Sequence, residues 1–187
     1  MQELISRLDS ISPLSEPFRF YLHDAIHTKT VSRNDWLLRQ GRICGQLYFI
    51  EKGLFRVFYT SHDKDVSSHF SHEGQFIFSV ESFLRQASSS ENIQALEDSV
   101  VHFINYPDLQ NAYRNFPESN IIARKLLEQS VQKNEWWLRC MRMQRAAERY
   151  AAILNHFPEL VQRVPSKFLA SYLGITEVRL SAVKNQR

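Results

Sequence analysis

The chain is poor in cysteine: Cys44 and Cys140 are the only two in 187 residues, and they lie far apart. Two thiols exclude a disulfide framework, a four-cysteine zinc site and a four-cysteine iron–sulfur cluster built from this chain alone. They fit a reducing compartment. No apolar run approaches the ~18–20 residues of a membrane-spanning helix. The first ten residues include Glu3, Arg7 and Asp9, which does not suit a secretory signal peptide. A cytoplasmic protein with no membrane partner is the expectation. Neither G-x-x-x-x-G-K-[ST] nor G-x-G-x-x-G occurs, so the common phosphate-cradling loops are missing. Glycine is scarce as well, with four of the five between residues 41 and 74.

What is present is ordinary in bulk and uneven in detail. Hydrophobic residues make up 43% and charged residues 23%, as in a globular protein. The length allows one substantial domain and a smaller one. Net charge is +3, but residues 145–187 hold seven Lys/Arg against three Asp/Glu, and the rest hold 16 against 17. A basic end behind a neutral body suits a polyanion partner. The plain alternative is a solvated surface.

The stretch from Ser166 to Val183 carries the clearest pattern. Leu169, Leu173, Ile175, Leu180 and Val183 are spaced for two short helices sharing one small core, with Ala170 leaving room at their crossing. Gly174 supplies a turn residue that tolerates positive φ. Thr176 can cap the second helix, with Glu177 in its first turn and Pro165 at the start of the first. This is the helix-turn-helix arrangement, whose second helix enters the DNA major groove. An ordinary helical hairpin ending a domain would have a similar pattern.

Upstream, residues 1–35 read as short helices, broken by Pro13 and Pro17. From Trp36 to Tyr106, short aromatic and β-branched runs are punctuated by Gly41, Gly45, Gly53 and Gly74. Closely spaced short strands predict a jelly-roll barrel of about eight strands. Glu51-Lys52-Gly53 predicts a hairpin turn. Tyr106 to Phe116 predicts a short helix. Pro117 to about Met143 predicts one long helix, which either packs as a core helix or pairs with its own copy. A further helix runs from Arg145 to His156, with a bend near Gln144 and an end at Phe157-Pro158. The fold class is α+β, in three parts: 1–116, barrel with N-terminal helices; 117–144, long dimerisation helix; 145–187, helix-turn-helix unit without a C-terminal wing.

Barrel, long helix and helix-turn-helix in that order resemble the Crp/Fnr family of bacterial transcription regulators, in the branch common in Bacteroidetes-type bacteria. The resemblance rests on Leu38-Arg-Gln-Gly41, Tyr48-Phe-Ile-Glu-Lys-Gly53, Arg56-Val-Phe-Tyr59, Ser82-Phe-Leu84, Ile93-Gln-Ala-Leu-Glu-Asp98, Glu148-Arg-Tyr150 and Ala170-Ser-Tyr-Leu-Gly-Ile-Thr176. It implies a cyclic-nucleotide-binding-like barrel and a homodimer joined along the long helices. It also implies a signal or small-molecule effector in the barrel, and double-stranded DNA and RNA polymerase as partners. The DNA-contacting residues it implies are Lys167, Thr176, Glu177, Arg179, Ser181 and Lys184. Lys167 and Lys184 suit phosphates better than bases.

Three departures qualify this. The Gly-Glu and Arg-Ser pairs that hold ribose and phosphate in the cyclic-nucleotide signature fall here on Phe78-Ser79 and near Ser89-Ser90. Without that arginine a buried phosphate lacks its charge-assisted fork, which argues against cAMP. Val178 and Ala182 stand where the family tends to place base-reading Glu and Arg. The chain stops at Asn185-Gln186-Arg187, with no wing. These leave a second reading open: a ligand-binding or protein-interaction module with weakened or lost sequence-specific DNA binding. An enzyme of cupin type is a third, because His69, His72 and Glu73 cluster before Gly74. Strand residues three apart point to opposite faces, so His69 and His72 do not converge on a metal without a bulge. No catalytic residue, cofactor or metal site is assigned. Trp136-Trp137 reads as packing rather than base stacking.

Overall fold

The computed structural model describes residues 1–185. Two helices open the chain, α1 (Gln2–Ile11) and α2 (Glu16–Ala25). Ser15 caps α2 by accepting from Phe18 N, with Pro17 in the first turn. The strands are β1 (Ile26–Val31), β2 (Trp36–Leu38), β3 (Gln46–Lys52), β4 (Phe55–Ser61), β5 (Lys64–Ser71), β6 (Phe76–Ile77), β7 (Asn92–Ala95) and β8 (Ser99–Asn105). A short helix, α3 (Val80–Arg85), interrupts them. They form two four-stranded sheets, ordered β1-β8-β3-β6 and β2-β7-β4-β5, with antiparallel neighbours. The inner faces meet in an apolar core that includes Ile50, Phe55, Ile93 and Val101. The two sheets form a β-sandwich.

Two sequence expectations need correcting. Strand structure begins at Ile26, not Trp36, because β1 adds to the edge of a sheet with only Ile26 and Val31 buried. Its outward His-Thr-Lys-Thr run leaves no periodic apolar signal. Glu51-Lys52-Gly53 is not a hairpin: β3 and β4 lie in different sheets, and Gly53 begins the crossover between them. The tight hairpin joins β4 to β5 at His62-Asp63, both with positive φ (48° and 59°), as a two-residue primed turn requires.

After the strands come α4 (Tyr106–Asn115) and the long α5 (Pro117–Met141). The first half of α5 packs Ile122 and Leu126 against α1 and α2 in a second core. Leu127, Val131 and Leu138 remain exposed, at 58%, 65% and 56%. A non-helical elbow at 142–145 leads to α6 (Ala146–His156). Beyond it come α7 (Pro158–Arg163), α8 (Ser166–Tyr172) and α9 (Glu177–Lys184). The sequence reading has no helix at 158–163; six residues starting at a proline are too few for a periodic signal. Among the described residues no helix is long and apolar enough to cross a membrane.

The last four helices share one core with the outer side of the barrel. Leu54, Phe70 and Leu96 join Ile153, Leu169, Leu180 and their neighbours. Arg163 closes one side of this seam, donating to both Glu73 and Glu97 across four bonds of 2.6–3.0 Å. Ser171 Oγ accepts from Ser67 N and donates to Asp65 O on β5, each at 3.0 Å. The Tyr172 ring stacks on Trp137 at 3.9 Å and meets Phe70 edge-on. Trp136 packs on His156 and Phe157. Both tryptophans therefore serve packing.

Candidate nucleic-acid interface

Two short helices with a tight turn make the candidate surface. At the end of α8, Gly174 N donates to Ser171 O (3.1 Å) and Ile175 N to Ala170 O (3.0 Å), with Gly174 at φ +65°. This paired closure satisfies the terminal carbonyls and needs the left-handed residue that glycine supplies. Thr176 Oγ1 then caps α9 by accepting from Arg179 N at 3.2 Å. Leu180 and Val183 turn inward against Leu169 and Leu173.

The opposite side of α9 faces outward. Thr176, Glu177, Arg179, Ser181 and Ala182 are exposed, and Val178 is 82% exposed. Lys167 is exposed on α8. Lys184 differs from the other candidates: it is half-buried, and its Nζ donates to Ser166 Oγ at 3.2 Å, tying α9 to α8. The six candidates thus fall into an outer row on α9, one lysine on α8 and one lysine used partly as a brace. The final two residues, Gln186 and Arg187, lie outside the described residues.

One structural residue of this unit was missed from the sequence. Arg149, on α6, donates from Nε to Leu173 O (3.1 Å) and from Nη1 to Met143 O (2.8 Å). A single planar guanidinium therefore holds the α5–α6 elbow against the turn before α9. Glu148-Arg-Tyr150 marks the position in sequence, but nothing there gives its contacts.

The barrel offers a second region. Where the resemblance places ribose and phosphate ligands, the polar groups close on one another. Ser79 Oγ donates to Glu91 Oε2 (3.2 Å) and Ser68 Oγ to Glu91 Oε1 (3.4 Å), and Ser89 Oγ lies 3.0 Å from Ser79 Oγ. The charge here is a carboxylate, and among the described residues no Lys or Arg hydrogen-bonds into the cluster. Beside it, a cleft of about 370 Å³ runs between the barrel and α5, with Phe76, Phe78, Phe83, Leu126 and Lys133 in its wall. Burial lowers the Lys133 ammonium below the ordinary lysine value. Its Nζ donates to Gln75 Oε1 at a long 3.4 Å. His69 lines the same cleft, and burial, then Lys133 and His72, push it down to about 4, so it is neutral at pH 7. Among the described residues no group of three or more His, Cys, Asp or Glu is placed to hold a metal ion.

The architecture defines a class: a cyclic-nucleotide-binding-like sandwich followed by a long helix and a small helical unit. Residues 28–116 match the family model of the cyclic nucleotide-binding domain. Three solved structures show how far the likeness extends. FixK2 from Bradyrhizobium japonicum is 16% identical, with a TM-score of 0.73 over 86% of this chain and 83% of that one. A CooA mutant from Carboxydothermus hydrogenoformans is 17% identical, with a TM-score of 0.71 over 96% and 82%. A protein described as a transcriptional regulator of the Crp/Fnr family from Eubacterium rectale is 12% identical, with a TM-score of 0.73 over 91% and 82%. No curated protein matches by sequence. Residues 28–116 thus match the cyclic nucleotide-binding domain, and the chain shares its fold with FixK2, CooA and a protein described as a Crp/Fnr-family regulator. Nothing ties the chain to a particular bacterial branch.

Proposed function

We propose that this protein is a DNA-binding transcription regulator of Crp/Fnr type. Residues 1–116 receive the signal, residues 117–144 join two copies, and residues 145–187 form the helix-turn-helix unit. The observation that carries this reading is the outer row of α9. It stays exposed while the helix's other side is buried and α8 is docked on the barrel. Arg179 is the side chain best placed to reach a base edge, and Val178 offers an apolar contact to a thymine methyl. Lys167 suits a phosphate. RNA polymerase is the further partner this class of regulator implies. In fluorescence anisotropy on duplex DNA, Arg179→Ala will weaken binding and alter sequence preference, by ~1–3 kcal/mol for the base concerned. Lys184→Ala will weaken binding less, because that ammonium already serves Ser166. If neither substitution changes affinity, α9 is not the reading helix.

The dimer assignment rests on the exposed Leu127, Val131 and Leu138, four and seven residues apart on α5, a spacing suited to a helix–helix seam. Val131→Glu will shift the protein toward monomer in analytical ultracentrifugation and reduce affinity for two-fold-symmetric DNA. Retention of the dimer would place the seam elsewhere.

The effector is not cAMP on this reading. The Glu91 carboxylate stands where a phosphate would need a cation, and it already takes the neighbouring hydroxyls. The cleft along α5 is the better receiving site for a small molecule. A second reading, a ligand-binding or protein-interaction module with weakened sequence-specific DNA binding, is favoured by one feature: Val178 and Ala182 cannot make bidentate base contacts. Binding at low salt that enriches no sequence would support it.

A further inference from the structure

We propose that Arg142 and Arg145, on the elbow between α5 and α6, grip the phosphate backbone of duplex DNA beside the groove that α9 enters. This rests on the regulator reading above and names backbone contacts beyond those of α9.

The argument begins with Arg145. It occupies the N-cap of α6, where Ser, Thr, Asp and Asn are preferred, and it makes no side-chain capping bond. A cation at that end also opposes the helix dipole. The choice costs local stability, and among the described residues the side chain makes no hydrogen bond or ion pair that offsets it. A break with local preference of this kind is expected at functional positions. Arg142 lies at the other end of the elbow, as the C-cap of α5, where a cation is favourable. Both are exposed, and among the described residues neither side chain has an ion-pair or hydrogen-bond partner. Other arginines nearby are already engaged: Arg139 with Glu135, and Arg149 with two carbonyls.

The placement comes from the Arg149 brace. Its guanidinium bonds Met143 O on the elbow and Leu173 O before the turn, so elbow and turn sit on either side of one planar group. Gly174 and the α9 cap Thr176 follow Leu173 directly. Arg142 and Arg145 therefore flank, along the chain, the elbow carbonyl that Arg149 ties to the turn before α9. Exposed carboxylates, Glu148 and Glu177, occupy the first turns of α6 and α9, so the surface is not uniformly basic. Affinity then depends on particular arginines meeting particular phosphates. A flexible, delocalised guanidinium suits a phosphate oxygen pair better than an ammonium does.

The test uses the full-length protein and its Arg142→Gln/Arg145→Ser double variant, with duplex affinity measured at several salt concentrations. Each lost phosphate contact reduces the slope of log K against log salt by ~0.9, so the double variant should lose about 1 to 2 units. At about 0.1 M salt this is roughly tenfold in affinity per arginine. Relative affinities among sequences should be unchanged, because phosphate contacts carry no sequence information. Melting temperature should hold or rise, since serine is a good N-cap, which separates weak binding from poor folding. An unchanged slope with binding intact overturns the proposal, as does a variant whose sequence preference changes while its slope does not. If the wild-type protein binds single strands but no duplex, the regulator reading itself falls.

Discussion

Gly53→Ala will lower the urea midpoint by an amount equivalent to ~2–6 kcal/mol. Two costs add. Gly53 has φ +111°, a region that L residues rarely adopt, which costs ~1–3 kcal/mol. A Cβ there would sit 2.0 Å from Ser99 Oγ, 2.6 Å from its Cβ and 3.0 Å from its backbone Cα. Rotating the serine relieves only the first of these. The rest requires the start of β8 to move, a forced displacement in a packed core costing ~1–3 kcal/mol. Leu54, the next residue, is fully buried and its carbonyl accepts from Leu96 N at 2.7 Å, so the crossover cannot drift outward. Gly41→Ala is the control: its φ is +85°, but nothing lies within 4 Å of the added carbon. It should cost only the backbone strain. If the two variants lose equal stability, with equal denaturant slopes, the close approach at Ser99 does not constrain the fold.

The second large effect is at the seam. Arg163→Ala will destabilise the protein by ~1–3 kcal/mol at pH 7, because Glu73 and Glu97 are left facing each other without their shared cation. The lower part of that range applies if solvent screens the carboxylates, each about a third exposed. The acid limb carries the more specific signature. Hydrogen bonds from Arg163 hold the Glu73 carboxyl down at about 2, against an ordinary value of 4.5. A depressed carboxylate stabilises the fold fully above its unfolded value. That contribution is lost as pH falls from about 4.5 toward 2. Wild-type stability should therefore decline through this window, and the Arg163→Ala protein should decline less steeply. Parallel pH profiles would mean that the ion pairs do not couple the barrel to the C-terminal helices.

The parts of this molecule that could be read from sequence were those with periodic or chemically constrained residues. The long helix starts at Pro117 as expected and ends at Met141, close to the expected Met143. Gly174 adopts the positive φ that its place in the turn allowed. Thr176 caps α9, as its chemistry suggested. Features set by contacts distant in sequence were not legible. Gly53 has the local signature of a hairpin, yet the sheets separate there because β3 finds β8 and β6, and β4 finds β5 and β7. Strand β1 is polar along most of its length and becomes a strand only by pairing with β8. Lys184 looked like a free phosphate contact, and only the fold brings Ser166 within its reach. The contacts of Arg149 and Arg163 were not legible either, because Leu173, Glu97 and Glu73 lie 24 to 90 residues away along the chain. The exposed row on α9 was legible because four consecutive non-core residues, Thr176 to Arg179, precede Leu180. The elbow arginines were not, since their meaning depends on which turn they adjoin.

The most direct test of the account is selection from a random duplex pool by the purified full-length protein, repeated with Arg179→Ala. The account predicts enrichment of a two-fold-symmetric sequence with half-sites about one helical turn, ~34 Å, apart, and a changed preference for the variant. Recovery of no common sequence by the wild type, with the variant retaining the same pool at the same affinity, would contradict it.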